Sequence, residues 1–276
     1  MSFPHSAPGS VEIPAEKLPQ PQTRTATLRI YLAAIALFSA AAALTIYYAR
    51  DMSGGMRMPG NWTMSMMWMM GRGPTAALAF IAVWAIMMVA MMLPSTLPML
   101  LLYRRVIVFR GGRAPGAKMF LAGAGYFAVW TLFGAAAYFA GTAVTRAAMI
   151  SARISHLIPL ATGTALVVAA AYQLTPVKST CLRHCRDPLS FAAEHLSAGW
   201  RGALQLGLHH GVFCAACCWG LMLIQLALGV MSLPVMAGVA VLIALEKLAP
   251  RGELLAKVIG AAAMVAGIVL VARALR

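Results

Sequence analysis

The sequence predicts an all-α fold, a polytopic transmembrane helix bundle of about seven spans with its N-terminus inside and its C-terminus outside. Three observations carry this prediction. Hydrophobic residues make up 61% of the chain and charged residues only 11%, whereas a soluble globular chain carries roughly 25% charged residues. So much apolar surface needs the bilayer as its solvent. The apolar residues also fall in long runs rich in Ala, Leu, Met and Gly, without the two-residue alternation of a transmembrane barrel. Helices satisfy every backbone N–H and C=O internally, as lipid demands. Lastly, with the N-terminus inside, 15 of the 22 Lys and Arg residues lie in inner segments and 7 in outer ones, the bias that orients membrane chains.

Taken in order, residues 1–28 are polar and carry Pro4, Pro8, Pro14, Pro19 and Pro21. That composition cannot build a core and predicts a disordered cytoplasmic tail ahead of a membrane domain over 29–276. The first apolar run, 29–48, is too long for the usual secretory signal and reads as a retained span. Further runs follow at 75–102, 119–141, 157–175, 202–229, 233–249 and 254–274. Pro94 and Pro98 interrupt the second run and predict a kink or an end near Pro94. The run at 233–249 is short for a hydrocarbon core of about 30 Å. The longest loops are an outer one over 49–74 and an inner one over 176–201. No internal repeat or second domain is visible.

The formal net charge of +15 would suggest nucleic acid in a soluble protein. Here the cations sit in short loops between apolar runs, so orientation accounts for them and no nucleic-acid partner is expected. There is no phosphate loop, no Ser/His/Asp set and no carboxylate pair, so catalytic residues are not expected either.

The residues that carry chemistry are sulfur and imidazole. In the fifth span, His209, His210, Cys214, Cys217 and Cys218 precede Trp219. At about 100° per residue, His210, Cys214 and Cys217 share one helix face, Cys218 flanks it and His209 points elsewhere. Thiolates and an imidazole on one face suit a soft or borderline metal such as Cu(I) or Zn(II). The same helix carries Gly207 and Gly211, a spacing that also serves plain helix packing. In the second span, Met87, Met88, Met91 and Met92 stack at spacings of three and four. If that span runs over 75–102, its midpoint lies at the depth of the cysteines. A Met stripe alone is more often core, but opposite a Cys/His face it adds Met88, Met91 and Met92 to the candidate ligands.

Two loops add donors. The outer loop holds Met52, Met56, Met58, Met64, Met66, Met67, Met69 and Met70 beside Trp62 and Trp68. It suits either a collector of Cu(I) or an interfacial segment. The inner loop holds Cys181, His184 and Cys185, and one helical turn puts both sulfurs on one side. Nearby Lys178, Arg183 and Arg186 favour thiolate, so Cys181 and Cys185 are candidate metal ligands or a redox pair. Glu246 and Lys247, near the inner end of the sixth span, read as a structural ion pair at the membrane edge.

Three blocks together carry a family resemblance. They are Trp84 through the MMVAMMLPS segment to Pro98; Tyr172 through Lys178 with Cys181 and Cys185-Arg186-Asp187-Pro188; and Gly207 through Cys214, Cys217, Cys218 and Trp219 to Glu246, Lys247 and Pro250. Over about 80–250 the chain resembles a bacterial family of uncharacterised, predicted metal-binding integral membrane proteins. The resemblance implies a multi-pass protein of the bacterial cytoplasmic (inner) membrane. With the sulfur-rich faces it leads to one expected function: binding a soft transition metal, foremost Cu(I) with zinc second, for transport, delivery or homeostasis. The expected partners are the lipid bilayer, the metal ion and a metal donor or acceptor protein. The alternatives are a membrane thiol or metal redox enzyme, and a non-catalytic assembly factor for a membrane complex.

Overall fold

The computed structural model describes residues 24–276 apart from 53, 70, 72 and 187–198. It is built almost wholly of helices: α1 (Arg24–Asp51), α2 (Pro74–Phe109), α3 (Pro115–Ile150), α4 (Ala152–Gln173), α5 (Pro176–Arg186), α6 (Trp200–Leu228), α7 (Leu233–Leu248) and α8 (Gly252–Ala274). Between α1 and α2 lies a two-stranded antiparallel hairpin, β1 (Gly55–Met58) and β2 (Trp62–Ser65), followed by one 3-10 turn (Met66–Met69). Of the predicted disordered tail, residues 1–23 lie outside the described residues, and 24–28 belong to α1.

All the predicted apolar runs are helical, and six helices are long and apolar enough to cross a membrane: α1, α2, α3, α4, α6 and α8. With 16 residues, α7 is shorter, about 24 Å at ~1.5 Å per residue. Its N-terminal turn has Pro234 where a missing N–H costs nothing. Pro74 and Pro115 likewise open α2 and α3, while the Ser151 side chain caps α4 by accepting from the Ile154 N–H.

One expectation is overturned. The second helix does not stop near Pro94; α2 passes through Pro94 and Pro98 and ends at Phe109 after 36 residues. Each proline removes one N–H from the helix ladder, a loss that close neighbours make tolerable. Trp84, Met87, Met88, Met92 and Thr96 on α2 are all buried against the rest of the bundle. The Ser95 hydroxyl also donates to the Met92 carbonyl in the same stretch.

Close contacts fix the relative directions of the helices. The Trp84 indole donates to the Trp130 carbonyl, and Leu100 packs on Gly123, so α2 and α3 are antiparallel. Ala122 meets Gly207 and Tyr126 meets Cys214, so α3 and α6 are parallel. A Cβ at Gly207 would overlap the Ala122 backbone, so only glycine allows this approach. It follows that α2 runs antiparallel to α6. Lys247 meets Cys214 while the α6–α7 turn lies at the other end, so α7 is antiparallel to α6 as well. The hairpin, the α6–α7 turn and the C-terminus of α8 thus share one end of the bundle, and α5 lies at the opposite end.

The hairpin is anchored where α4 begins. Trp62 Nε1 donates to the Ser155 carbonyl at 3.0 Å, and Ser155 Oγ donates to the Pro59 carbonyl at 2.6 Å. Met58 and Met64 form a small core with Ala148. Much of the bundle's outward surface is apolar, with Leu132, Phe139, Ile150 and Val265 all exposed.

Candidate metal centre

The main core is rich in sulfur, with cysteines from α6 and methionines from α2, α6 and α7 packed among aromatic and aliphatic side chains, and α5 lies at one end of it. Cys214, Cys217 and Cys218 are fully buried on α6, and all five cysteines are free thiols. Met87, Met88, Met91 and Met92 of α2 belong to the same contiguous core, and Cys181 and Cys185 of α5 pack against it. The first part of the expected inner loop is a helix, α5, with both cysteines packed against the core and Arg183 turned out.

Cys214 is the best-held sulfur. The Tyr126 hydroxyl lies 2.9 Å from its Sγ, and Lys247 Nζ donates to it at 2.8 Å. Cys217 and Cys218 have sulfurs 3.8 Å apart, and Cys185 adjoins Cys217 from α5. His210 is buried on the same side of α6, its ring 5.5 Å from that of Tyr126. His209 points elsewhere, as its position on the helix requires, and lies against Phe213 with His184 beyond. Among the described residues, no group of three or more His, Cys, Asp and Glu is gathered closely enough to hold a metal ion. What the thiols share with the thioethers of α2 is one contiguous buried core.

The predicted Glu246–Lys247 pair does not form. Adjacent helix positions diverge by about 100°, and the two side chains serve different partners. Glu246 accepts from Lys178 Nζ at 2.6 Å and from Gln173 Nε2 at 2.8 Å. Lys247 turns to Cys214. Lys178 also donates to the Cys217 carbonyl at 2.6 Å, and Arg186 donates to the main-chain carbonyl of Glu246 at 2.7 Å. Burial disfavours the Lys178 ammonium, but the sulfurs of Cys217 and Cys218 and the Glu246 carboxylate outweigh it and hold its pKa above the usual lysine value. A buried charge is tolerated only when paired in this way.

Sequence reasoning missed Tyr126 and the partners of Lys178 and Lys247. Tyr126 carries no motif. Lys178 passes as one more loop cation, although on a helix starting at Pro176 it shares a face with Cys181 and Cys185, and that spacing was a usable signal. The phase difference between Glu246 and Lys247 was a second one. The outer methionines also divide: Met58, Met64 and Met67 are buried as packing residues, whereas Met56, Met66 and Met69 are exposed.

Buried thiols and thioethers thus share one core, with the ammonium groups of Lys178 and Lys247 beside the Cys217 carbonyl and the Cys214 sulfur. No curated protein matches the chain, and no solved structure matches it. A family model described as PpoB2, copper chaperone, matches residues 81–270, more than half of the chain. The matched region contains Met88, Met91, Met92, Cys181, Cys185, His210, Cys214, Cys217 and Cys218. The chain therefore belongs to the PpoB2 copper chaperone family.

Proposed function

We propose that the protein is a multi-pass carrier of the bacterial cytoplasmic membrane that holds Cu(I) as cargo and passes it to or from a partner protein. On this reading the chain crosses the bilayer seven times, N-in and C-out, with α7 as the short crossing. Cys214, Cys217 and Cys218 hold the ion, His210, Met88, Met91 and Met92 supply the surrounding donors, and Cys181 and Cys185 receive or release it at the α5 end.

The observation that carries this reading is the single buried core shared by three thiols and eight thioethers, four of them on α2, with two further thiols packed against it. Thioethers stay ligands without losing a proton and prefer Cu(I), whereas Zn(II) favours a tetrahedral set of thiolate, imidazole or carboxylate. Charge balance points the same way. A Cu(I) ion between two thiolates bears a net negative charge, which a dry core accepts only beside a cation. Lys247, 2.8 Å from Cys214 Sγ, is that cation.

The test is the metal content of full-length protein purified anaerobically in mild detergent after Cu(I) loading. Wild-type protein is expected to retain copper near stoichiometry and C214S/C217S to lose it. Equal copper in the double variant removes the proposed site, and retained zinc in place of copper moves the assignment to a different metal.

A further inference from the structure

At the hairpin end of the bundle, a cavity of about 430 Å³ opens between the end of α1, the hairpin and the α6–α7 turn. Two sulfur side chains line it from different elements, Met52 just beyond α1 and Met231 in the α6–α7 turn. Gly229 forms part of the wall, and its φ of 127° makes the turn that brings Met231 back over the end of α6. Arg50 is the one ionisable group among the described lining residues, and no carboxylate lines the cavity. Hard cations such as Mg²⁺ and Ca²⁺, which favour carboxylate oxygens, find only the neutral oxygens of residues such as Thr63, Ser65 and Ser232 among the described lining residues. Thioethers leave a soft monovalent ion as the ligand that fits.

The cavity is tied to the sulfur core beneath it. Gln225, fully buried one turn before Gly229, points its amide nitrogen at both the Val230 carbonyl (3.5 Å) and Met87 Sδ (3.4 Å). Its amide oxygen is buried and has no hydrogen-bond partner among the described residues. A spare carbonyl-type donor therefore sits beside the first methionine of the α2 stripe. Below this point α2 and α6 run antiparallel, so moving along α2 from Met87 to Met91 is moving along α6 from Gln225 towards Cys218. Each step is about one helical turn, ~5–6 Å. Met222 on α6, also fully buried, lies between Gln225 and Cys218.

We propose that the cavity between Met52 and Met231 is the intake site for Cu(I), and that Met87, oriented by Gln225, is the first donor inside the bundle. The inference rests on the copper-carrier reading and adds to it the route by which the ion reaches the cysteines. Each transfer exchanges one thioether for another. Copper remains Cu(I), and no proton or electron moves until a thiol is reached. The exposed loop residues Met56 and Met66 are then not the intake site.

The test uses the full-length protein in nanodiscs with ¹³C-methyl methionine and Ag(I) as the probe, with alkylation of the half-buried thiols Cys181 and Cys185 reporting silver that has reached the cysteines. Met52 and Met231 are assigned through M52L and M231L. The expected result is that both methyl signals shift together on Ag(I) addition, that M231L removes the Met52 shift, and that thiols become protected in the wild type. Protected thiols with unmoved Met52 and Met231 signals overturn the intake site alone. A shift confined to Met56 and Met66 overturns it in favour of the hairpin surface. Thiols that remain fully reactive with silver present overturn the carrier reading and the intake proposal together. Q225L, which leaves both cavity methionines in place, is expected to keep the Met52 and Met231 shifts and lose that of Met87.

Discussion

Replacing Lys247 by methionine tests the charge balance of the centre most directly. The substitution keeps roughly the length and apolar stem of the side chain and removes the ammonium 2.8 Å from Cys214 Sγ. At that distance, with an effective dielectric constant of about 20, a full charge pair is worth about 6 kcal/mol. The charge of a Cu(I) dithiolate is spread over two sulfurs and the metal, so about half of that, ~3 kcal/mol, acts on the metal complex. At 1.4 kcal/mol per tenfold, K247M should weaken Cu(I) binding by roughly a hundredfold. K247R, which keeps the charge, should lose much less. The assay is anaerobic competition against a chromogenic Cu(I) chelator, with circular dichroism to show that the helices persist. An affinity for K247M within about threefold of wild type, in folded protein, would refute the idea that this lysine neutralises the bound metal.

Other predictions follow from the same geometry. Removing one partner of the buried Lys178–Glu246 pair strands the other, at a cost on the order of 3–5 kcal/mol. E246Q and K178M should therefore each lower the thermal midpoint in detergent more than the K178M/E246L double variant does. A double variant no better than the worse single one would count against it. At Gly207 any side chain meets the Ala122 backbone, so G207V should force α3 and α6 apart and make Cys214 accessible to maleimide. Cys214 that stays as protected as in wild type would show that the helices tolerate the added volume. Loss of retained copper in C214S/C217S completes the set.

Much of the helical architecture was legible because apolar runs and helical phase are local properties. The placement of His210, Cys214 and Cys217 on one face, and of His209 off it, follows from 100° per residue alone. What was not legible depends on partners distant in sequence. Pro94 and Pro98 read as a break because their effect depends on what surrounds the helix, and here the buried face of α2 keeps it continuous. Lys178 read as an orienting loop cation because nothing local shows that Glu246, 68 residues away, accepts from it. The hairpin was hidden for a different reason: a Met- and Trp-rich stretch suits an interfacial segment equally well, and Ser155, which holds it, lies in α4.

The bonds around Glu246 have a mechanical consequence. Lys178 ties α5 to both α7 and α6, while Arg186 ties the far end of the same short helix to the main chain of Glu246 and Pro250. The fastening points are thus spread across α5, which cannot peel away one contact at a time. Lifting it would strip a carboxylate, an ammonium and a guanidinium of their partners together. Held at both of its ends, α5 behaves as a single latch across the ends of α6 and α7: its contacts yield together or not at all.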